Sequence, residues 1–239
     1  MVKSLRDWIA EDVDPVRGES VKWLSENYFF RDPMRHTHVD PAYFFSPADG
    51  VVLYQGVVEP DAPVVDIKGS PHTVRDAIRD DGYDRVSLVI GIFMTFYDVH
   101  VNRVPYSGRL TYRELDAIDT VNRPMLDVEK EILERLRVPA EGREYLRHNQ
   151  RVVNRVDSAE LGRAYHLLQL ADYDVDAITP FTLAQHRPVR QGSRFSQIRF
   201  GSQVDLIIPV GGGLDLQPLC EPGQHVQAGL DPLVRVVGK

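Results

Sequence analysis

The spacing of apolar residues changes twice along the chain, and each change marks a change of predicted secondary structure. From residue 3 to residue 30 apolar side chains recur every three or four positions, the period of an amphipathic helix. These positions are Leu5, Trp8, Ile9, Val13, Val21, Leu24 and Tyr28. Pro15 interrupts the pattern, and the segment ends before Pro33, because the residue preceding a proline disfavours helical geometry. We therefore predict a helical N-terminal extension over residues 1–30, broken near Pro15.

From Tyr43 to about Tyr112 the pattern changes to short apolar runs rich in Val, Ile and Phe, separated by Gly, Pro and Asp. Such runs are typical of β-strands joined by turns. The predicted strands are Gly50–Tyr54, Val64–Lys68, Val86–Phe96 and Val99–Val104. Between the second and third of them, His72–Asp80 has the length of a short helix.

Residues 124–147 return to a helical period, with Glu131 and Arg135 one helical turn apart on the exposed side. We interpret this charged helix as a connection or a lid. Strand-like runs then resume to the C-terminus. They are Val152–Val156, Ala164–Leu170, Asp174–Ile178, Ile198–Phe200 and Val204–Pro209.

Together these elements predict an α+β fold that is predominantly β, with antiparallel sheets in a barrel-like core and one domain over residues 1–239. The segment Glu221–Gly229 has the spacing of the β-hairpin in lipoyl carrier domains, and its glycines allow tight turns. A carrier domain needs a lysine at the hairpin tip, where this chain has Gln224, His225 and Gln227. We therefore interpret the lipoyl-like hairpin as structural.

Composition narrows the classes of function. A hydrophobic content of 43% and a charged content of 26% are ordinary for a folded protein, and a net charge of −7 argues against nucleic-acid binding. The single cysteine, Cys220, excludes an internal disulfide and Cys-rich zinc sites. No apolar stretch has the length of a signal core or a membrane span. We expect a cytoplasmic protein that contacts a membrane only peripherally.

The step Gly201-Ser202, directly before an apolar strand-like run, is the strongest chemical signal in the chain. Some proenzymes cut their own backbone at such a step, where the serine hydroxyl attacks the glycine carbonyl and the new N-terminus becomes a pyruvoyl group. We expect glycine there because the chain must adopt a conformation that other residues avoid. A Gly-Ser pair before a strand is also common as a simple bulge or turn.

Four segments in order resemble the short, bacterial-type phosphatidylserine decarboxylases. They are Phe29–Pro33 leading to Ser46-Pro47-Ala48-Asp49-Gly50, then Ile67-Lys68-Gly69, then Ile92–Thr95 with Asp98–Pro105, and finally Arg194–Ser202 with Val204-Asp205 and the Gly223-Gln224 turn. The similarity covers most of residues 27–110 and 190–235. The stretch between these regions departs from the family pattern, so the resemblance supports the chemistry better than the substrate.

The resemblance implies a carboxy-lyase that converts phosphatidylserine to phosphatidylethanolamine and carbon dioxide. Cleavage at Gly201-Ser202 would separate a β chain, residues 1–201, from an α chain, residues 202–239, whose Ser202 becomes a covalent pyruvoyl cofactor. The implied partners are a phospholipid and the inner face of the cell membrane, with no metal and no nucleic acid. Self-association of the chain is left open.

The resemblance also assigns roles to Asp49 and His100. In longer members of the family an Asp in this motif and a His form a relay for self-cleavage, but that histidine aligns with Arg103 here. His100 matches a second histidine, linked to decarboxylation, and one imidazole could serve both steps because it titrates near neutrality. Asn102 and Arg103 are candidates for binding the substrate phosphate, or for pairing with a carboxylate.

Purely structural interpretations also fit the same residues. Asp49-Gly50 is also a good turn pair, and His100 between two valines could be a buried core histidine. Two alternative functions also stay open: a pyruvoyl decarboxylase of a soluble amine or amino acid, and an uncleaved, inactive binding module.

Overall fold

An antiparallel sheet of nine strands organises the part of the chain that the computed structural model describes, residues 2–67, 70–116, 125–139, 143–172, 177–199 and 201–238. Across this sheet the strand order is β1-β16-β3-β6-β14-β10-β9-β8-β12. The strands of the large sheet are β1 (Lys3–Ser4), β3 (Gly50–Val58), β6 (Ser87–Met94), β8 (Gly108–Leu115), β9 (Arg151–Ser158), β10 (Arg163–Ala171), β12 (Arg187–Val189), β14 (Ser202–Pro209) and β16 (Gln224–Val226).

Three smaller antiparallel sheets flank it. They are β11 (Ile178–Pro180), β13 (Arg194–Ile198) and β7 (Val101–Arg103); β15 (Asp215–Pro218), β17 (Pro232–Gly238) and β2 (Tyr43–Phe45); and β4 (Pro63–Ile67) with β5 (Ser70–Thr73). The predicted fold, predominantly β with antiparallel sheets, is confirmed. At the C-terminus β15 and β17 pair with each other, while β16, in the connection between them, joins the large sheet between β1 and β3.

The helices are short. They are α1 (Leu5–Trp8), which continues as wider turns over Ile9–Val13; α2 (Val21–Trp23), which continues over Leu24–Tyr28; α3 (Val74–Ile78); α4 (Leu126–Arg135); and α5 (Tyr145–His148). Ser4 and Ser20 cap the first two by accepting hydrogen bonds from backbone N–H groups of the first turn. The predicted break near Pro15 separates them. None of the described helices has the length and apolar character needed to cross a membrane.

The prediction of one helix over residues 124–147 is wrong in its length. Helix α4 ends at Arg135, where Leu136 takes a left-handed conformation with φ of 54°. Pro139 follows and disfavours helical geometry before it. A separate short helix, α5, then precedes β9. Residue 124 and residues 140–142 lie outside the described part of the chain.

Apolar side chains cover both faces of the large sheet, because successive residues of a strand point to opposite sides. On β10, Leu167 and Ala171 belong to one core cluster, whereas Leu168 and Leu170 belong to the other. The second cluster lies under the helices and contains Trp8. Central strands such as β14 are buried along their whole length.

Gly50 is the tightest backbone position next to a predicted site residue. Its φ is +152°, and a β-carbon there would lie 2.1 Å from the carbonyl oxygen of Phe93 on the neighbouring strand. Asp49 and β3 therefore meet β6 at a point where only glycine fits.

We expect Gly50→Ala to destabilise the protein by about 3 kcal/mol, because the added methyl group must displace backbone as well as adopt an unfavourable φ. Urea unfolding measures the change. Gly56→Ala in the same strand is the matched control, since a β-carbon there meets nothing within 4 Å; equal losses for both variants would contradict this account.

Candidate active site

The Gly201-Ser202 step lies where the chain enters the centre of the large sheet. Ser202 is the first residue of β14 and is fully buried. It pairs with Met94 of β6 on one side and Ala171 of β10 on the other. The peptide bond before it is therefore held between two strands, in a setting from which water is excluded.

The carbonyl group of Gly201 is held by a hydrogen bond. The backbone N–H of Asp172, the residue after β10, donates to the Gly201 oxygen at 2.9 Å. The Asp172 carboxylate in turn accepts a bond from the backbone N–H of Met125 at 3.2 Å, directly before α4. Burial raises the pKa of this carboxyl. The start of α4 is thereby fastened beside the Gly-Ser step.

The structure does not crowd Gly201. A β-carbon there would lie 3.6 Å from the β-carbons of Asp172 and Met125, an ordinary van der Waals contact. Crowding therefore does not explain the glycine, and the special backbone conformation expected there stays a prediction.

His100 lies at the entry to β7 and is fully buried. Its Nδ1 lies 3.0 Å from the carbonyl oxygen of Asp98, and its ring stacks on Phe29 at 3.8 Å between centroids. A carbonyl oxygen only accepts, so the neutral ring carries its proton on Nδ1 and its lone pair on Nε2. The backbone oxygen of His100 accepts from the N–H of Ile198, which ties this segment to the strand leading into Gly201.

A buried carboxylate–imidazole pair lies beside this histidine. Nε2 of His225 lies 2.7 Å from Oδ1 of Asp98, and Thr95 donates both its N–H and its hydroxyl to Oδ2. Burial acts to raise the pKa of Asp98, but His225 and the Thr95 bonds outweigh it and hold the pKa below its usual value. The His225 ring stacks on Trp8 at 4.6 Å. The pair fixes the backbone of Asp98, to which His100 is bonded.

Asp49 is buried in an ion pair with Arg35. Both guanidinium nitrogens reach the two carboxylate oxygens at 2.6 Å, and the backbone N–H of Ala228 donates to Oδ1 at 2.7 Å. This bidentate geometry is among the strongest that a carboxylate forms. The structure thus places Asp49 with Arg35 and Ala228, and a relay role beside His100 stays a prediction.

Asn102 and Arg103 point to opposite sides of β7. The Asn102 oxygen accepts from Gln169 at 2.6 Å, and its amide approaches the sulfur of Met94, the residue paired with Ser202. Arg103 instead donates to the Gly192 oxygen at 2.9 Å and lies 3.5 Å from Asp32. Asn102 therefore lies on the Ser202 side, whereas Arg103 belongs to a separate charged cluster. Phosphate binding by either one stays a prediction.

Glu129 of α4 is a buried acid that the sequence did not single out. It is 5% exposed, and its Oε1 accepts from the backbone N–H of Phe96 at 3.1 Å. Burial, with added repulsion from Asp98 and Asp172, raises its pKa to about 8. At neutral pH it is protonated, and it lies on the helix whose start is bonded to the Asp172 carboxylate.

Because the folded pKa of Glu129 lies above its unfolded value, its contribution to stability is complete at low pH. That contribution is lost as pH rises between about 4.5 and about 8. The slope reaches at most about 1.4 kcal/mol per pH unit. We expect Glu129→Gln to flatten this part of the curve of unfolding free energy against pH, as measured by urea unfolding. Glu134→Gln on the same helix is the control; parallel curves for wild type and Glu129→Gln would contradict the assignment.

Four contributors to this site lay outside the sequence predictions: Arg35, Glu129, Asp172 and His225. His225 sits in the segment interpreted as a structural hairpin, so a signal for it was present. Glu129 carried none, because an acid on a charged helix is normally solvated. The role of Asp172 lies in its backbone N–H, which any residue other than proline could supply.

Comparisons with known proteins show which family the chain is similar to. A model of the phosphatidylserine decarboxylase family matches residues 27–233, which include the site residues described above other than Trp8. The phosphatidylserine decarboxylase proenzyme of Erythrobacter litoralis is 33% identical over 210 residues, 87% of this chain and 72% of that protein. The Streptomyces avermitilis proenzyme of the same name is 33% identical over 208 residues, 87% and 73% of the two chains.

A third relative, the putative archaetidylserine decarboxylase proenzyme of Methanothermobacter thermautotrophicus, is 32% identical over 202 residues, 84% of this chain and 76% of that protein. These matches show that the protein is a carboxy-lyase. Since the family model spans most of the chain, the chain belongs to the phosphatidylserine decarboxylase family. The predicted family and enzyme class are confirmed.

Proposed function

We propose that this chain is a proenzyme that cuts itself between Gly201 and Ser202 and then decarboxylates phosphatidylserine. The observation that carries the proposal is the setting of that peptide bond. Ser202 is buried between two strands, and the Gly201 carbonyl already accepts a backbone hydrogen bond. A carbonyl held in this way is polarised toward attack.

In the proposed self-cleavage, Oγ of Ser202 bonds to the Gly201 carbonyl carbon, and the C–N bond to Ser202 breaks as its nitrogen gains a proton. The resulting ester eliminates: Ser202 loses its Cα proton, the Cβ–Oγ bond breaks, and Gly201 leaves as a carboxylate. Hydrolysis then releases ammonia. The N–H of Asp172 is placed to stabilise the negative charge that develops on the Gly201 oxygen during attack.

His100 is the proposed base for the Ser202 hydroxyl. Its Nδ1 contact with Asp98 places the lone pair on Nε2, as a base requires. The Asp98–His225 pair and the stacked Phe29 ring act by positioning this imidazole. Protonated Glu129 is the proposed proton donor on the α4 side.

The residues at the cleavage step fit a pyruvoyl group formed from Ser202. The surroundings of Gly201 are not crowded. Ser202 is the first residue of β14, so a new chain end there requires no change in the pairing of the sheet. Once formed, the group supplies an electron sink for the bond that releases carbon dioxide. Met94, Ala171 and Asn102 would surround it.

The two pieces, residues 1–201 and 202–239, are expected to stay together after cleavage. Strand β14 pairs with β6 along its whole length and with β10 from Ser202 to Ile207. Two buried polar contacts also join the pieces: His225 with Asp98, and the Arg35–Asp49 ion pair with the backbone of Ala228. A decarboxylase active site built from both pieces requires this cohesion.

For the substrate we propose phosphatidylserine at the inner face of the cell membrane, reached by peripheral contact. The names of the relatives, phosphatidylserine and archaetidylserine decarboxylase proenzymes, support a serine lipid. Phospholipid vesicles containing phosphatidylserine, assayed beside soluble phosphoserine and serine, separate this substrate from a soluble amine. We expect carbon dioxide from the vesicles; release from the soluble compounds alone would contradict the lipid proposal.

A further inference from the structure

A cavity of about 310 Å³ lies away from the Gly-Ser step, between α3, α5 and the start of β9. It is lined by four arginines and one histidine. These are Arg75, Arg79, Arg147, Arg151 and His72. Such a concentration of guanidinium groups around one cavity is unusual in a chain whose net charge is −7.

The lining carboxylates offset the positive charge of this cluster only in part: Asp76 attracts His72, Arg147 and Arg151, but it forms no ion pair with the two arginines. Asp76 caps α3 by accepting from the N–H and the hydroxyl of Thr73. Asp81, the other lining acid, is exposed. Arg75 has its own partner, Asp61, at 2.8 Å. Among the side chains that the structure describes, no carboxylate lies within ion-pair distance of Arg79, Arg147 or Arg151.

The deepest groups of the cavity are the most poorly satisfied. Arg151 is 2% exposed, and the hydrogen bond found for its guanidinium is a long one, 3.5 Å to the Leu146 oxygen. His72 is 1% exposed, and neither ring nitrogen has a hydrogen-bond partner among the described residues. A buried guanidinium has five donors and normally uses them. The unpartnered His72 ring nitrogens and the weakly bonded Arg151 guanidinium line a space large enough for an oxyanion.

The electrostatics point the same way. Burial, with repulsion from Arg79 and Arg147, lowers the pKa of Arg151 to about 10. Burial and the charge of Arg151 lower the pKa of His72 to about 4. A bound anion would offset the neighbouring positive charges and stabilise the charged forms of both side chains.

The cavity lies on the other face of the sheet from Ser202. Arg151 is paired with Leu170, whose neighbour Ala171 is paired with Ser202. Paired residues share a face and successive residues alternate, so the Arg151 and Ser202 side chains lie on opposite faces. The cavity is therefore separate from the active site and does not depend on the function proposed above.

We propose that this arginine cavity is a binding site for a phosphoryl group, either a soluble phosphate or the phosphate of a lipid head group. The planar guanidinium of arginine binds phosphate oxygens in pairs, and several arginines around one group add specificity. Arg79 and Arg147 are half-buried and lie at the entrance of the cavity, whereas Arg151 and His72 are buried and form its floor.

Titration calorimetry of the full-length protein with inorganic phosphate, at constant ionic strength set with chloride, tests the site. We expect Arg147→Gln and Arg79→Gln each to weaken phosphate binding about tenfold or more, the loss typical of one charge-assisted hydrogen bond. Arg135→Gln on the exposed side of α4 is the matched control and should bind as wild type does. Circular dichroism and the urea midpoint show that each variant is folded.

Sedimentation with phosphatidylcholine vesicles, with and without phosphatidylglycerol, distinguishes the two sources. Loss of phosphatidylglycerol-dependent sedimentation in both cavity variants assigns a lipid head group. Phosphate binding that needs the arginines, with sedimentation unchanged, assigns a soluble phosphate. If wild type binds neither probe, or the cavity variants bind both as well as Arg135→Gln does, the proposal is wrong.

Discussion

We expect Ser202→Ala to leave the chain uncut and to remove decarboxylase activity completely. Alanine has no hydroxyl to attack the Gly201 carbonyl, so neither the ester nor the new N-terminus can form. The substitution removes one oxygen from a fully buried site between β6 and β10, and the fold should survive it. Intact-mass measurement and carbon dioxide release from phosphatidylserine vesicles record the two effects.

Ser196→Ala is the matched control for this experiment. Ser196 is also a buried serine, on the strand that leads toward the cleavage step, and it donates to the Thr179 oxygen at 3.1 Å. We expect this variant to be cut and active like wild type. Residual activity in Ser202→Ala would refute the assignment of Ser202 as cofactor precursor.

His100→Gln is expected to slow self-cleavage by about a hundredfold or more, the usual contribution of a positioned general base. Glutamine keeps most of the volume stacked on Phe29 but cannot accept a proton at neutral pH. The fraction of uncut chain, followed by mass over time, measures the first step. Turnover of the material that does cleave measures the second.

His38→Gln supplies the control, because His38 lies in a loop and contacts Phe45 edge-on. Slow cleavage followed by normal turnover would confine His100 to self-processing. Reduced rates in both measurements would give it both roles. Cleavage and turnover at the wild-type rate would remove His100 from the mechanism.

The apolar runs separated by turn residues were enough to predict the β-rich core. Strands such as β3, β6, β9, β10 and β14 have long apolar runs whose burial on a sheet decides their structure. The pattern failed at residues 124–147, where charged residues fit a helix equally well before and after Leu136. The helix ends because of the left-handed backbone of Leu136 and the proline at position 139. The period of apolar residues contains no information about either feature.

For the candidate site, the Gly201-Ser202 step carried a chemical signal of its own, whereas Asp49 and His100 were singled out through the family resemblance. The roles of these residues stay predictions. The partners of these residues could not be predicted, since they depend on distant contacts. Arg35 meets Asp49 and Ala228, and His225 meets Asp98, across long stretches of chain. Such pairings are set by the sheet order.

The intact mass of the purified wild-type protein tests the central claim most directly. We predict two masses, matching residues 1–201 and residues 202–239, with the smaller piece lacking a free amine and reacting with hydroxylamine through its ketone. A single uncut species that does not react with hydroxylamine would contradict the proposed self-cleavage and the pyruvoyl cofactor together.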